Sequence, residues 1–230
     1  MRKLVYYVAA TLDSYIAGPD GEYDFLLFEG EGRDAILAEY PETMPTPARA
    51  AFGLTGTPNR HFDTVIMGRG TYEPGLQAGL TSPYAHLEQY VVSTSLQTVD
   101  PDIHVVREDP ADTVRKLKSQ SGKDIWLAGG GKLASALLPE IDQLVIKRNP
   151  LVIGSGIPLF AARSVRRRIC PSRPAASTRA CASRRTAGDG VSASMPGWRP
   201  LPLPIATLTA DTRGPREKPA GQGENHAWKH

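Results

Sequence analysis

Two short stretches of this chain put glycines, a cation and a hydroxyl where an apolar run gives way to a helical pattern. The first is VIMGRGTYE, residues 65–73. Gly68 has no side chain to hold a ligand away from the backbone. Arg69 carries a planar fork that matches phosphate oxygens. Thr71 is a good helix N-cap, and its hydroxyl could also meet an anion. The second stretch is IWLAGGGKLASALL, residues 125–138, where a buried strand runs into Gly129, Gly130 and Gly131 and then a helix start beside Lys132 and Leu133. Backbone N–H groups at such a start form a cradle for a pyrophosphate. Neither stretch is a G-x-G-x-x-G fingerprint or a Walker P-loop. Each also has a plainer reading: a strand–turn–helix with a solvent-exposed arginine, or a flexible turn. Three glycines, however, are entropically costly for a turn alone.

Chemistry at strand exits needs a sheet that brings those exits together. Leu4–Ala10 (LVYYVAA) reads as a buried strand, followed by a loop with Gly18-Pro19-Asp20-Gly21. Residues 33–40 suit a short helix and 41–60 a Pro/Thr/Gly-rich loop. Strands are expected at 64–67, 89–93, 103–106, 124–128 and 141–148, and helices at 71–77, 110–120 and 132–139. Residues 151–160 form a Gly-punctuated apolar segment. Strands separated by helical patterns predict an α/β fold with a mostly parallel sheet, whose ligands bind beyond the carboxyl ends of the strands.

The charge is unevenly spread. Residues 1–160 hold 14 Lys+Arg and 20 Asp+Glu, whereas 161–230 hold 13 and 4. The second stretch has no Phe or Tyr and only seven Val, Ile or Leu. Such a composition cannot offset an ordering entropy of roughly 1–2 kcal/mol per residue. The expected organisation is therefore a folded domain over 1–160 and a basic, disordered tail over 161–230. The tail has the composition of GC-rich coding read out of frame; a genuine appended tail is the other reading. Cys170 and Cys181 both lie in it and read as free thiols. The run Arg163 to Arg168 could touch phosphates, but without aromatic interleaving or a reading module no specific nucleic-acid partner is expected. No apolar run reaches the roughly 18 residues of a membrane span and no secretory signal opens the chain, so a cytoplasmic protein is expected. No metal site is expected, and His61, His86 and His104 stand singly with no role assigned.

Together, LDSYIAGPDG (12–21), DTVIMGRGTYE (63–73), VVSTS (91–95), the triple-glycine stretch and IDQLVIKRNPLVIGSGIPLF (141–160) resemble the dihydrofolate reductase-like family. The similarity is greatest to the RibD C-terminal, riboflavin-biosynthesis reductase domain and its stand-alone relatives. The resemblance implies a three-layer α/β/α domain. It also implies hydride transfer from NADPH, or alternatively NADH, to a conjugated C=N or C=O bond of a small heterocyclic substrate. It places the adenine-side phosphates at Gly68, Arg69 and Thr71, and the adenosine near Ser93 and Thr94. The pyrophosphate falls on Gly129, Gly130 and Gly131 beside Lys132 and Leu133, and Ala9 and Ile16 bracket the nicotinamide. Asp13 is the polar candidate for catalysis there, with turn capping as its other role. Relatives of this kind are often dimers, which makes a homodimer an expectation. Four departures stand out, the largest being that the chain turns to Arg/Ala/Ser/Pro-rich sequence directly after Phe160, where the family's sheet adds its last strands, so the 1–160 domain is expected to lack them. Ser14 follows Asp13 where the family has Gly, and Gly70 stands where it commonly has a cation, which weakens the case for a 2′-phosphate. The substrate-side acid of dihydrofolate reductases has no secure counterpart: Asp24 and Asp34 are candidates by position, and both read better as solvated charges.

Overall fold

The computed structural model describes residues 1–161, with the exception of Leu27, Thr98 and Val99. The expectations for the tail, its frame and its two cysteines fall on 162–230, outside the described residues.

Six strands form the central sheet: β1 (Leu4–Ala10), β3 (Phe62–Gly68), β4 (Glu88–Val92), β5 (Ile103–Val106), β6 (Asp124–Gly129) and β7 (Gln143–Arg148). Their order is β5-β4-β3-β6-β1-β7, and every pairing in it is parallel. Two short strands, β2 (Tyr15–Ala17) and β8 (Ile157–Pro158), pair antiparallel apart from the sheet. The helices are α1 (Gly30–Glu39), α2 (Arg69–Gln77), α3 (Pro110–Ser119) and α4 (Gly131–Ala136). The mostly parallel α/β sheet expected from the alternating pattern, and the three-layer α/β/α arrangement implied by the resemblance, are what is found.

Burial explains why β1 reads as a near-continuous apolar run: a parallel sheet is covered on both faces. Its alternate residues serve opposite layers. Tyr6, Val8 and Ala10 join α3 and α4 through Val114, Leu117, Leu133 and Leu137. Val5 and Tyr7 join Phe62, Val65, Met67, Trp126 and the α2 residue Tyr72 on the other face. Each such large apolar side chain, taken fully out of water, contributes roughly 1.5–3 kcal/mol. Two polar tips inside find partners: Trp126 Nε1 donates to the Tyr7 carbonyl at 2.9 Å and Tyr6 Oη to the Leu159 carbonyl at 3.0 Å, whereas the buried Tyr7 Oη makes no hydrogen bond among the described residues.

Several boundaries differ from the sequence reading. The helix expected over 33–40 starts at Gly30, and the loop 41–60 contains two 3-10 turns, Pro41–Thr43 and Thr46–Ala48. β7 starts at Gln143, because Ile141 is drawn into the core beneath α4. The helix expected over 132–139 ends at Ala136. In α3, by contrast, Asp109 accepts from the Ala111 and Asp112 amides with Pro110 in the first turn, as the capping rules require.

Candidate active site at the diverging strand exits

The chain leaves β3 through α2 toward β4 on one flank, and leaves β6 through α4 toward β7 on the other. Because β3 and β6 are neighbours while α2 and α4 cover opposite faces, their carboxyl ends open a crevice between them. That is the point in a doubly wound sheet where ligands bind.

Both glycine stretches line this crevice. A methyl group placed on Gly68 would lie 3.7 Å from the Gly129 carbonyl oxygen and 3.9 Å from Leu133 Cβ. One placed on Gly130 would lie 3.8 Å from Thr71 Oγ1 and 3.9 Å from Ile16 Cδ1. Gly129 has φ +128°, a conformation that side chains resist, and the Gly129–Gly130 peptide is cis. The structure therefore brings Gly68, Thr71, Gly129, Gly130, Leu133 and Ile16 into one corner. Lys132 points outward and exposed, while Leu133 is buried behind Gly68.

Thr71 is not the N-cap it was expected to be. The strand passes straight into α2 at Gly68, and Gly68 offers no capping side chain. This leaves the first-turn amides of α2 without a side-chain cap, with the Thr71 hydroxyl turned toward Gly129 and Gly130. Similarly, α4 begins at Gly131 after an uncapped Gly130.

At the β4 end the strand stops at Val92, so Ser93 lies just beyond it. Ser93 is buried and its Oγ accepts from the Leu96 amide at 3.0 Å and the Ser95 amide at 3.3 Å, which folds the turn. Thr94 and Ser95 are left exposed on it. Arg69 Nη1 donates to Ser95 Oγ at 2.9 Å and Nε to Glu73 at 2.9 Å. From the other side Arg107, just past β5, reaches the Thr94 carbonyl at 3.5 Å. Residues 93–99 (STSLQTV) contain no Arg or Lys; Arg107 comes from the next strand's exit, and only the β4–β5 pairing brings it here.

Asp13 serves the loop. It accepts from Thr11 Oγ1 at 2.6 Å, Gly154 N at 2.8 Å and Ile153 N at 3.2 Å. The Thr11 hydroxyl, followed by these amides, holds its carboxyl below the usual 3.8. It clips the first loop to the segment after β7. Ser14, next to it, has φ +69°. Ala9, the last residue of β1 on the α2 face, is half-buried, as is Ile16. Asp24 is exposed, and Asp34 pairs with Arg33 on the surface.

The topology and the crevice define a dihydrofolate reductase-like α/β domain. Residues 2–183 match the RibD C-terminal domain, and the chain belongs to that family. It is 36% identical over 163 residues to the uncharacterized protein YwjB of Bacillus subtilis (strain 168), covering 69% of this chain and 83% of that one. It is 26% identical over 172 residues to the uncharacterized protein YyaP of the same organism, covering 69% and 80%. A crystal structure from Shewanella sp. PV-4, provisionally described as a riboflavin biosynthesis protein, superposes with a TM-score of 0.51 at 25% identity, over 72% of this chain and 86% of that one. No helix among the described residues is long and apolar enough to cross a membrane.

Proposed function

We propose that this protein is an NADPH-dependent reductase of a small heterocyclic substrate, of the 5-amino-6-(5-phosphoribosylamino)uracil reductase type. The observation that carries the reading is the convergence of Gly68 and Gly129–Gly130 on one corner, with the Thr71 hydroxyl beside Gly129 and Gly130. Membership of the RibD C-terminal family supports it.

Each residue has a part in this reading. The amides at Gly68 and Arg69 and the Thr71 hydroxyl take one phosphate, and the backbone of Gly129, Gly130 and Gly131 takes the rest of the pyrophosphate. Lys132 adds positive charge from the rim, and Leu133 supports the floor. Ser93 shapes the adenosine turn, with Thr94 exposed on it. Arg69 and Arg107 approach that turn from two sides, which favours a 2′-phosphate and so NADPH over NADH even though Gly70 supplies no charge. Ala9 and Ile16 flank the nicotinamide end. The cofactor, when bound, supplies the hydride; the protein orients it against the substrate and excludes water. Asp13, held ionised and hydrogen-bonded to the backbone, positions the first loop and is not the proton donor.

The test is a fluorescence titration with NADPH and NADH, followed by NADPH oxidation in the presence of the ribosylaminouracil. Tighter NADPH binding with turnover supports the reading. Binding without turnover would indicate a nucleotide-binding relative that has lost the reaction.

A further inference from the structure

Reducing a C=N or C=O bond needs a proton as well as a hydride, and the acids that the sequence offers for the task are unsuited to give one, while Glu73, on α2, is paired with Arg69. Asp13 is committed to the Ile153–Gly154 backbone, and Asp24 and Asp34 face solvent. Lys147 is different. It lies directly opposite Ala9 in the β1–β7 ladder, two residues before Asn149 carries the chain off the sheet. It therefore faces the α2 side of the sheet at its carboxyl end, beside the residue assigned to the nicotinamide. Its Nζ sits 4.5 Å from the centre of the Tyr7 ring. Among the described residues no carboxylate lies within ion-pair distance of it and it donates no hydrogen bond.

The titratable groups around it do not supply a counter-ion. Tyr7 lies beneath it, and burial pushes that hydroxyl far up. Tyr40, at the end of α1, packs on Tyr7 with ring centres 4.5 Å apart and is likewise raised by burial. Glu42 gives its Oε1 to the His61 and Phe62 amides at 2.6 and 2.8 Å; its buried Oε2 makes no hydrogen bond among the described residues and forms no ion pair with Lys147. A half-buried cation with an aromatic ring below and a methyl group beside it has lost much of its hydration without gaining a partner. Burial accordingly draws the Lys147 ammonium down to about 8.

We propose that Lys147 is the residue that protonates the substrate during its reduction. The inference rests on the reductase reading above. As the carbon of the C=N or C=O bond takes the hydride and its electron pair from the reduced nicotinamide, the π pair moves onto the heteroatom. The heteroatom takes a proton from Nζ, and the neutral amine left behind recovers one from water. An ammonium that titrates near 8 is charged at neutral pH yet releases its proton readily, which suits a general acid.

Two measurements on the full chain test this. In the first, lysines are reductively methylated at neutral pH with formaldehyde and a borane, with and without NADPH, and mapped by mass spectrometry. Lys147 is expected to react about tenfold faster than Lys116, whose amine is held charged by Asp112, and NADPH is expected to slow it severalfold. In the second, NADPH oxidation with the ribosylaminouracil is compared for the wild type, Lys147→Met and Lys147→Arg. Both variants are expected to keep the NADPH-induced rise in melting temperature and to lose about 100-fold in kcat, because arginine does not release its proton at these pH values. In the wild type kcat falls as pH rises through about 8, and in both variants that limb is gone.

The proposal is overturned if Lys147 reacts no faster than Lys116, if NADPH raises the melting temperature without protecting it, or if Lys147→Arg turns over at the wild-type rate. If NADPH neither protects Lys147 nor raises the melting temperature, the reductase reading falls first and takes this assignment with it.

Discussion

Gly68 and Gly130 approach so closely that a methyl group on Gly68 would lie 3.8 Å from the Gly130 amide nitrogen. They belong to neighbouring strand exits whose helices diverge to opposite faces, so the gap above them is fixed by the sheet. A methyl at Gly68 meets only ordinary van der Waals neighbours. Gly68→Ala should therefore leave stability within about 0.5 kcal/mol of the wild type. The same methyl occupies the phosphate approach, so NADPH affinity should fall about tenfold, as read by fluorescence titration.

Gly131 behaves in the opposite way. A methyl there would collide with the Pro158 carbonyl oxygen, a backbone atom held near Gly131 by the Ala161 amide, which donates to the Gly131 carbonyl at 3.1 Å. Gly131→Ala should cost roughly 1–3 kcal/mol as the segment 157–161 is pushed away. Urea unfolding of the two glycine variants side by side would separate a ligand-space glycine from a packing glycine.

Arg69 and Arg107 address the same turn, through Ser95 and Thr94. Both are exposed, so neither contributes much stability. Arg107→Ala should weaken NADPH binding about tenfold and leave NADH binding unchanged, whereas Arg69→Ala should weaken both. Equal effects of Arg107→Ala on the two cofactors would remove Arg107 from a 2′-phosphate site.

The Asp13 clip predicts an acid-dependent contribution to stability. Its folded pKa lies below the ordinary 3.8, so the unfolded chain binds a proton first as pH falls. The stability it lends is complete above that ordinary value and is lost as pH drops through the lower, folded one. Asp13→Asn should melt lower than the wild type at neutral pH, with the difference closing in acid below 3.8. A difference that persists unchanged in acid would mean that the hydrogen bonds of the clip do not depend on ionisation.

Ser14 sits in the left-handed region at φ +69°, where an L side chain costs roughly 1–2 kcal/mol. Ser14→Gly should recover part of that strain and stabilise the protein by about 0.5–1 kcal/mol, after allowing for the entropy glycine adds to the unfolded chain. Denaturant midpoints would read it directly.

What could be read from the sequence followed the length and burial of each element. β1, β3 and β6 are long apolar runs because both their faces are covered, and the α3 start is written in Asp109-Pro110. β2 and β8, of three and two residues, are too short to show any period, and they exist only because distant segments meet. The two glycine exits were visible locally. Their meeting was not, since it depends on β6 inserting between β1 and β3. Arg107 and Lys147 carry no local signal at all. One is recruited by the β4–β5 pairing, and the other is set apart by having no carboxylate partner among the described residues, which only packing can establish.

The central claim is that the corner formed by Gly68 and Gly129–Gly130 holds a dinucleotide. The most direct test is the melting temperature of the full chain with NADPH, compared with Gly68→Val, whose larger side chain fills the gap. At a hundredfold excess over Kd the wild type should gain about 2.7 kcal/mol, or roughly 5–10 °C, and the valine variant should gain little. No rise in the wild type, or an equal rise in Gly68→Val, would contradict the account.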